Sequence, residues 1–266
     1  MLVTGSLVKK SLRKSTLNNA NQTFCLIQLL RYFALVVLVF YGLLVIVGLF
    51  PFLTHNRRWS IVSSWARRVV AVLGVRVLVY GKPPENGPFF TVCNHISWLD
   101  IPIVHSFLRV NFIAKADVRR WPIIGFLASR AGTVFIERRR VRDLKNVGKV
   151  LENLILSGES VFLFPEGTTS RGDDVLPFRS SLLQVAVNSN IAVLPVSIRY
   201  LTENHTMNYK PAYVANDSFF DTLSRIVASP KTFVELKVLE TVNPSNFNRR
   251  ALATLLRERI QSSFSA

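Results

Sequence analysis

The chain has 266 residues, enough for one substantial core or two small ones, and its 49% apolar residues with a mean hydropathy of +0.29 exceed what a soluble domain usually carries. The formal net charge is +17, and it is concentrated at the start, because the eleven basic side chains of residues 1–84 precede the first acid, Glu85. A basic and apolar leader indicates a membrane partner with anionic headgroups. We expect no nucleic-acid partner, since no nucleic-acid motif appears and the charge flanks a hydrophobic segment. The two cysteines form no disulfide framework, which fits a body that faces the cytosol.

Residues 1–31 form a basic N-terminal segment, and residues 32–53 lack any charge over 22 positions. About 20 apolar residues are enough to cross a bilayer, so 32–53 is predicted to be a retained membrane anchor. More arginines follow this segment than precede it, which predicts that the following domain lies on the cytoplasmic face, at the inner membrane if the source is bacterial. Gly42 and Pro51 leave open a bent segment that enters one leaflet without crossing.

Residues 57–73 are predicted to form an amphipathic helix at the membrane interface. At 100° per residue one half of the helix is apolar and the other is polar or basic. The alternative is an ordinary helix of the protein core. The apolar half contains Trp59, Ile61, Val62, Trp65, Ala66, Val69, Val70, Val72 and Leu73.

The remainder alternates short β-rich segments with helical ones, which predicts an α/β fold with a mostly buried sheet flanked by helices. No internal repeat or linker appears, so residues 74–266 are predicted to be one domain. Helices are expected over 119–131, 141–157, 178–189 and 245–264. The predicted strands cover 75–80, 88–93, 110–114, 133–137, 160–164, 192–198 and 232–238.

The stretch CNHISWLD, residues 93–100, places His95 five residues before Asp100. A histidine that acts as a general base needs a partner that fixes its tautomer, and a carboxylate is the usual one. Side chains five apart on a regular helix diverge by about 140°. The pair therefore requires His95 in the turn after a strand and Asp100 near a helix start, which Pro102 permits. A structural histidine beside an N-capping aspartate is the alternative.

Three further stretches follow in order: GTVFIER (132–138), FPEGTTS (164–170) and AVLPVSI (192–198). Together with NHISWLD they resemble the four sequence blocks of the glycerolipid acyltransferase family, most closely its 1-acylglycerol-3-phosphate acyltransferases. WPIIGFLASRAG (121–132) and LPFRSSLL (176–183) are similar to segments that flank the second and third blocks. The resemblance covers about residues 75–200.

The resemblance implies that His95 deprotonates an acceptor hydroxyl, which then attacks the thioester of an acyl-CoA or acyl carrier protein. Asp100 would orient the imidazole and stabilise the imidazolium. This mechanism needs no metal, no cofactor and no covalent intermediate on the enzyme. The sequence also lacks the nucleophile-elbow, phosphate-loop and zinc-protease motifs.

The resemblance also implies a set of residues that bind the lysophospholipid acceptor. Arginine can grip phosphate in a bidentate way, and glycine lets the backbone approach a ligand closely. One departure is Thr169, which stands where the third block commonly has arginine, and which leaves the acceptor headgroup open. The predicted substrate-binding residues are Arg138, Glu166, Gly167, Thr168, Lys115 and Arg171.

The sequence therefore predicts a membrane-bound O-acyltransferase that converts lysophosphatidic acid to phosphatidic acid. The alternative within the class is acylation of another lysolipid, such as lyso-ornithine lipid. The alternative from another class is a lipid-binding membrane protein without catalytic activity, which would require neither His95 nor Asp100.

Overall fold

A computed structural model of the chain describes residues 4–85, 87–137 and 141–265. Within these residues the predicted α/β fold is confirmed, and all seven predicted strands are present. Arg138, predicted to bind substrate, lies outside the described residues. The strands are β1 (Val75–Tyr80), β2 (Phe90–Cys93), β3 (Asn111–Lys115), β4 (Val134–Ile136), β5 (Val161–Leu163), β6 (Val193–Leu201) and β7 (Thr232–Val238).

The strands form one mixed sheet in the order β1-β7-β6-β2-β5-β3-β4. Every neighbouring pair is parallel except β6 and β7, which are antiparallel. The chain leaves β2 towards β3 on one side and leaves β5 towards β6 on the other. The adjacent strands β2 and β5 therefore flank a topological switch point, and ligands of open α/β sheets bind in the crevice beyond the carboxyl ends of such strands.

Helices cover both faces of the sheet, as the apolar runs of the buried strands require. Residues of α2, α3 and α8 join the buried cluster on one face, and residues of α6, α7 and α9 join the cluster on the other. The helices are α1 (Thr4–Gly48), α2 (His55–Val72), α3 (Asp100–Phe107), α4 (Ala116–Arg119), α5 (Ile124–Arg130), α6 (Val141–Leu156), α7 (Leu183–Asn188), α8 (Phe219–Val227) and α9 (Arg249–Ser262), with 3-10 turns at Phe50–Phe52 and Pro244–Asn246.

The predicted helices need three corrections. The segment 119–131 is helical only from Ile124 to Arg130 in α5, apart from Arg119 at the end of α4, because Pro122 interrupts it. The segment 178–189 becomes helical only at Leu183, because the backbone N–H of Arg179 donates to the Pro165 carbonyl instead of a helical partner. Helix α8 was missed, although Ser218 and Asp221 form a reciprocal capping box at its start.

Helix α1 contains the apolar segment, and its part Phe24–Gly48 is long and apolar enough to cross a membrane. One of its sides packs on the domain: Leu35 and Leu38 contact the buried cluster, while Phe33 and Phe40 are exposed. The Trp65 indole N–H of α2 donates to the Leu38 carbonyl at 2.8 Å. The apolar part of α1 is therefore packed against the domain on one side.

Helix α2 extends over His55–Val72, close to the predicted range 57–73. Much of its apolar half faces the protein, because Trp59, Ala66, Val69 and Val70 are buried. This packing favours the alternative of a core helix for that half. Contact of α2 with lipid stays a prediction.

Candidate active site

The residues of the first and third blocks meet beyond the carboxyl ends of β2 and β5, at the switch point. His95 follows β2 directly, and the FPEGTTS stretch follows β5. The Ser170 backbone N–H donates to the His95 carbonyl at 2.8 Å, which joins the two loops. The Asn94 side chain bonds both the N–H and the carbonyl of Ile198 at 2.9 Å, which ties the first block to the fourth.

His95 and Asp100 form the predicted pair. His95 lies in the turn after β2 and Asp100 is the first residue of α3. The distance from His95 Nδ1 to Asp100 Oδ2 is 2.8 Å. The imidazole is 18% exposed and the carboxylate is fully buried. The geometry that the sequence required for this pair is thus present.

Four donors surround the Asp100 carboxylate. Besides His95, Oδ2 accepts the backbone N–H groups of Ile96 at 2.8 Å and Ser97 at 3.0 Å. Oδ1 accepts the Tyr200 hydroxyl at 2.6 Å. An ionised carboxylate only accepts hydrogen bonds, so His95 Nδ1 must carry the proton that it shares with Asp100. This tautomer leaves the lone pair on Nε2 free to take a proton from a substrate hydroxyl.

Phe164 holds the plane of the imidazole. Its ring stacks on the His95 ring with centroids 3.8 Å apart and an interplanar angle of 12°. Phe164 is itself packed by Phe112 and Phe162. The His95 ring is therefore fixed by a hydrogen bond at one edge and by an aromatic face, which is the orientation that general-base catalysis needs.

Glu166 supports the backbone of His95. Its carboxylate is almost fully buried, with one oxygen accepting the His95 N–H at 2.7 Å and the other the Leu176 N–H at 3.2 Å. Burial raises the pKa of Glu166 to about 7, an effect that the two backbone hydrogen bonds reduce. Both carboxylate oxygens thus hold the protein backbone. That Glu166 orders the acceptor site stays a prediction.

The other predicted binding residues lie at the same edge of the sheet but differ in their exposure and contacts. Gly167 has a φ of +76°, which favours glycine, and Thr168 beside it is exposed. Lys115 ends β3 and is exposed, and it forms an ion pair with Asp117. Arg171 is exposed, stacks over the Tyr209 ring at 4.7 Å and lies 3.6 Å from Asp173. Among the described contacts, the side chains of Thr168, Lys115 and Arg171 form no hydrogen bond with the residues His95, Asp100 and Glu166.

Thr169 is turned towards the protein. Its hydroxyl donates to the Tyr213 carbonyl, on the segment between β6 and α8. The Tyr213 N–H in turn donates to the Ile96 carbonyl at 2.9 Å, so this segment braces both the first and the third block. The residue that replaces the usual arginine therefore has a structural partner.

The sequence analysis missed three residues of the site. Tyr200 gave no signal, because it acts through a contact between distant segments, and Phe164 lies in the FPEGTTS block but its stacking on His95 could not be read from that block. Arg179 did carry a signal, as the basic residue of LPFRSSLL. It is exposed and lines a cavity of about 120 Å³ together with Pro165, Gly167 and Ser181. Among the described residues it has no acidic partner.

The other histidines of the chain lack this combination of features. His105 is buried between aromatic rings, and burial lowers its pKa to about 4. His55 pairs with Glu159 at 2.7 Å, but Glu159 precedes β5 and so lies at the opposite, amino edge of the parallel strands. Only the His95 pair lies at the switch point.

Comparison with known proteins agrees with this geometry. The Acyltransferase family profile matches residues 76–199. Lyso-ornithine lipid O-acyltransferase of Pseudomonas aeruginosa is 32% identical over 203 residues, which are 76% of each chain. The 1-acyl-sn-glycerol-3-phosphate acyltransferase of Neisseria meningitidis is 34% identical over 177 residues, 66% of this chain and 69% of that one.

A solved structure is also similar. The crystal structure of PlsC from Thermotoga maritima, a 1-acyl-sn-glycerophosphate acyltransferase, superposes with a TM-score of 0.68 at 28% identity, covering 92% of this chain and 96% of that one. This solved structure shares the fold, and the names of the relatives divide between two acceptors. The chain belongs to the acyltransferase family that includes these lysolipid O-acyltransferases.

Proposed function

We propose that the protein transfers an acyl chain from acyl-CoA or acyl carrier protein to the sn-2 hydroxyl of 1-acylglycerol-3-phosphate, giving phosphatidic acid. The observation that carries the chemistry is the 2.8 Å contact of His95 with a buried Asp100, which leaves Nε2 as the base. The hydroxyl proton moves to Nε2, and the oxygen attacks the thioester carbonyl. The imidazolium then returns the proton to the departing thiolate.

The acceptor phosphate requires a cation, and Arg179 supports this assignment. Arg179 and Gly167 both line the cavity at the end of β5, and Arg179 has no acidic partner in the described part of the chain. Arg138, Lys115 and Arg171 stay predicted contributors. Because Thr169 bonds a backbone carbonyl, the charge of the usual third-block arginine has to come from these side chains.

A second candidate is O-acylation of lyso-ornithine lipid. Thr169 favours it, since a threonine cannot neutralise a phosphomonoester. Asp173 and Asp174 are exposed in the same loop and offer negative charge to an ammonium group. The Pseudomonas relative, which covers more of this chain than the Neisseria one, carries that name.

One experiment separates the two acceptors. Detergent-purified protein is incubated with lysophosphatidic acid, lyso-ornithine lipid and lysophosphatidylcholine, each with acyl-CoA or acyl carrier protein, and products are read by mass spectrometry. The expected product is phosphatidic acid, absent with His95→Ala. Preference for lyso-ornithine lipid, reversed by Thr169→Arg, would replace the first acceptor with the second. No acylation of any lysolipid would refute both.

We further propose that α1 enters one leaflet and that the domain lies on the cytoplasmic face, where both acyl donors occur. The Arg31 guanidinium donates to the carbonyls of Val227 and Ser229 at 2.8 and 2.6 Å, and Phe50, past the other end, is buried. The helical residues from Arg31 to Gly48 number 18 and span about 27 Å. A segment whose two ends are both held by one domain cannot cross the bilayer without drawing that domain in with it.

A further inference from the structure

The turn between α4 and α5 is strained and holds an apolar side chain outwards. Ile123 has φ 64° and ψ −59°, and the Ile124 N–H donates to the Pro122 carbonyl at 2.6 Å. These values describe a classic γ-turn, a rare and strained conformation, and a β-branched residue at positive φ adds to the strain. Even so, the Ile123 side chain is 47% exposed instead of buried. Burial in the core therefore does not account for this conformation.

Two more exposed apolar side chains lie close to this turn. Phe126 is one turn further along α5, and Phe220, 73% exposed, is in the first turn of α8. Phe219 connects the two regions, since its ring lies 6.3 Å from Trp121 and 5.6 Å from Phe220. We call Ile123, Phe126 and Phe220 the apolar triad.

The helices that carry the apolar triad, α5 and α8, both contact α1. Leu127 Cδ2, on α5, lies 3.7 Å from the position that a Cβ would take at Gly42 of α1. On α8, the Tyr32 hydroxyl of α1 reaches Ser224 Oγ at 3.3 Å, one helical turn after Phe220. The side chains of the apolar triad therefore lie on helices that pack directly against α1.

The charge around the triad fits an anionic lipid surface. Arg119 and Arg120 end α4 and are exposed, and the Arg130 guanidinium lies 5.4 Å from the Phe126 ring centroid. Exposed cations beside an apolar patch are the arrangement by which interfacial proteins bind anionic membranes. Since α1 is already the membrane element of the chain, the bilayer is the partner that would contact both surfaces together.

We propose that the apolar triad inserts into the same leaflet as α1 and forms with it one lipid-contacting surface. The stretch that carries His95 lies next to this surface, because the Trp98 ring is 4.8 Å from the Phe219 ring. Insertion of the triad therefore brings the His95 loop to the bilayer, where the lysolipid resides. The strain at Ile123 is maintained because it presents a side chain to lipid.

Labelling by depth tests this surface. Single cysteines replace Ile123, Phe126 or Phe220 in a Cys25→Ser background and receive an environment-sensitive fluorophore; Cys93 is fully buried, and the background protein alone checks that it stays unlabelled. The control is Leu156→Cys, 82% exposed at the end of α6, on the other face of the sheet. Vesicles contain phosphatidylethanolamine and phosphatidylglycerol.

In these vesicles, labels at the three triad positions are expected to be quenched by doxyl lipids and shielded from iodide, whereas the label at 156 shows the reverse. Iodide access at the triad equal to that at 156 would overturn the proposal. Ile123→Gly provides a second test: it should raise Tm by relieving the strain and weaken doxyl quenching of a label at 126. A higher Tm with unchanged quenching would show that the Ile123 side chain does not insert. Labelling measures no turnover, so these outcomes are independent of the acceptor.

Discussion

Tyr200→Phe is the sharpest test of how the catalytic pair is held. Tyr200 is fully buried on β6, and its hydroxyl donates to Asp100 Oδ1 at 2.6 Å. Among the described residues no other donor reaches that oxygen, since His95, Ile96 and Ser97 all donate to Oδ2. The substitution removes one oxygen atom and leaves half of a buried carboxylate without a partner.

The size of the effect follows from the type of bond. A hydrogen bond to a charged group contributes about 1.5–3 kcal/mol, and loss of one partner leaves the other desolvated. If that contribution holds Asp100 in the position that orients His95, kcat falls roughly 10- to 150-fold, because about 1.4 kcal/mol corresponds to a factor of ten. The KM for either substrate should change little, since Tyr200 is buried behind the pair and away from the substrates.

The assay compares steady-state kinetics of wild type and Tyr200→Phe on vesicles that contain lysolipid, with Tm measured on the same preparations. Tyr80→Phe is the matched control, because it removes the same hydroxyl from an exposed residue on the edge strand β1. We expect Tyr80→Phe to match wild type. A Tyr200→Phe protein that loses stability but keeps full kcat would show that the hydroxyl stabilises the fold without positioning the base, and the reasoning would be refuted.

Three further outcomes are expected. His95→Ala should lower the rate of acyl transfer by about 100-fold or more while vesicle binding persists. Asp100→Asn should also lower this rate strongly, because an amide favours the wrong tautomer of His95. Near-normal rates in both variants would contradict the general-base mechanism. Burial raises the pKa of Glu166 from 4.5 to about 7, so ionisation of this carboxyl group destabilises the folded state. Relative to Glu166→Gln, the free energy of unfolding of wild type should fall by up to about 3 kcal/mol as pH rises from 4.5 to 7, with no further change above pH 7. Measurement of Tm against pH for both proteins checks this. Arg179→Gln should raise the KM for lysophosphatidic acid roughly 10- to 100-fold and leave the acyl-donor KM unchanged. The control Arg76→Gln, at an exposed position of β1, should change neither KM. Equal KM values for lysophosphatidic acid in the two variants would exclude Arg179 from the acceptor site.

Much of the architecture was predictable because it depends on local patterns. Strands such as β5 and β6 are short apolar runs bounded by turn residues, and a sheet buried on both faces produces such runs directly. The sequence also placed both His95 and Glu166 directly after predicted strands. Because the carboxyl ends of parallel strands lie at the same edge of a sheet, the two residues could be expected at one edge. Helix α8 was not predicted, although its nine residues are amphipathic and a Ser218–Asp221 capping box marks its start.

The sequence alone indicated the chemistry through a resemblance: His95 and Asp100, within four ordered blocks, match the glycerolipid acyltransferase family, which implies acyl transfer to a hydroxyl. Only the tertiary structure decided what holds that chemistry in place. The Tyr200 hydroxyl is one hundred positions from Asp100, and the Arg31 guanidinium is 196 positions from the Val227 carbonyl that it binds. Neither contact can be predicted from a local sequence pattern, because each depends on which strands become neighbours and on which side of the sheet a helix packs. Strand order and helix packing come from burial of the whole core, a property that no local stretch of the sequence contains.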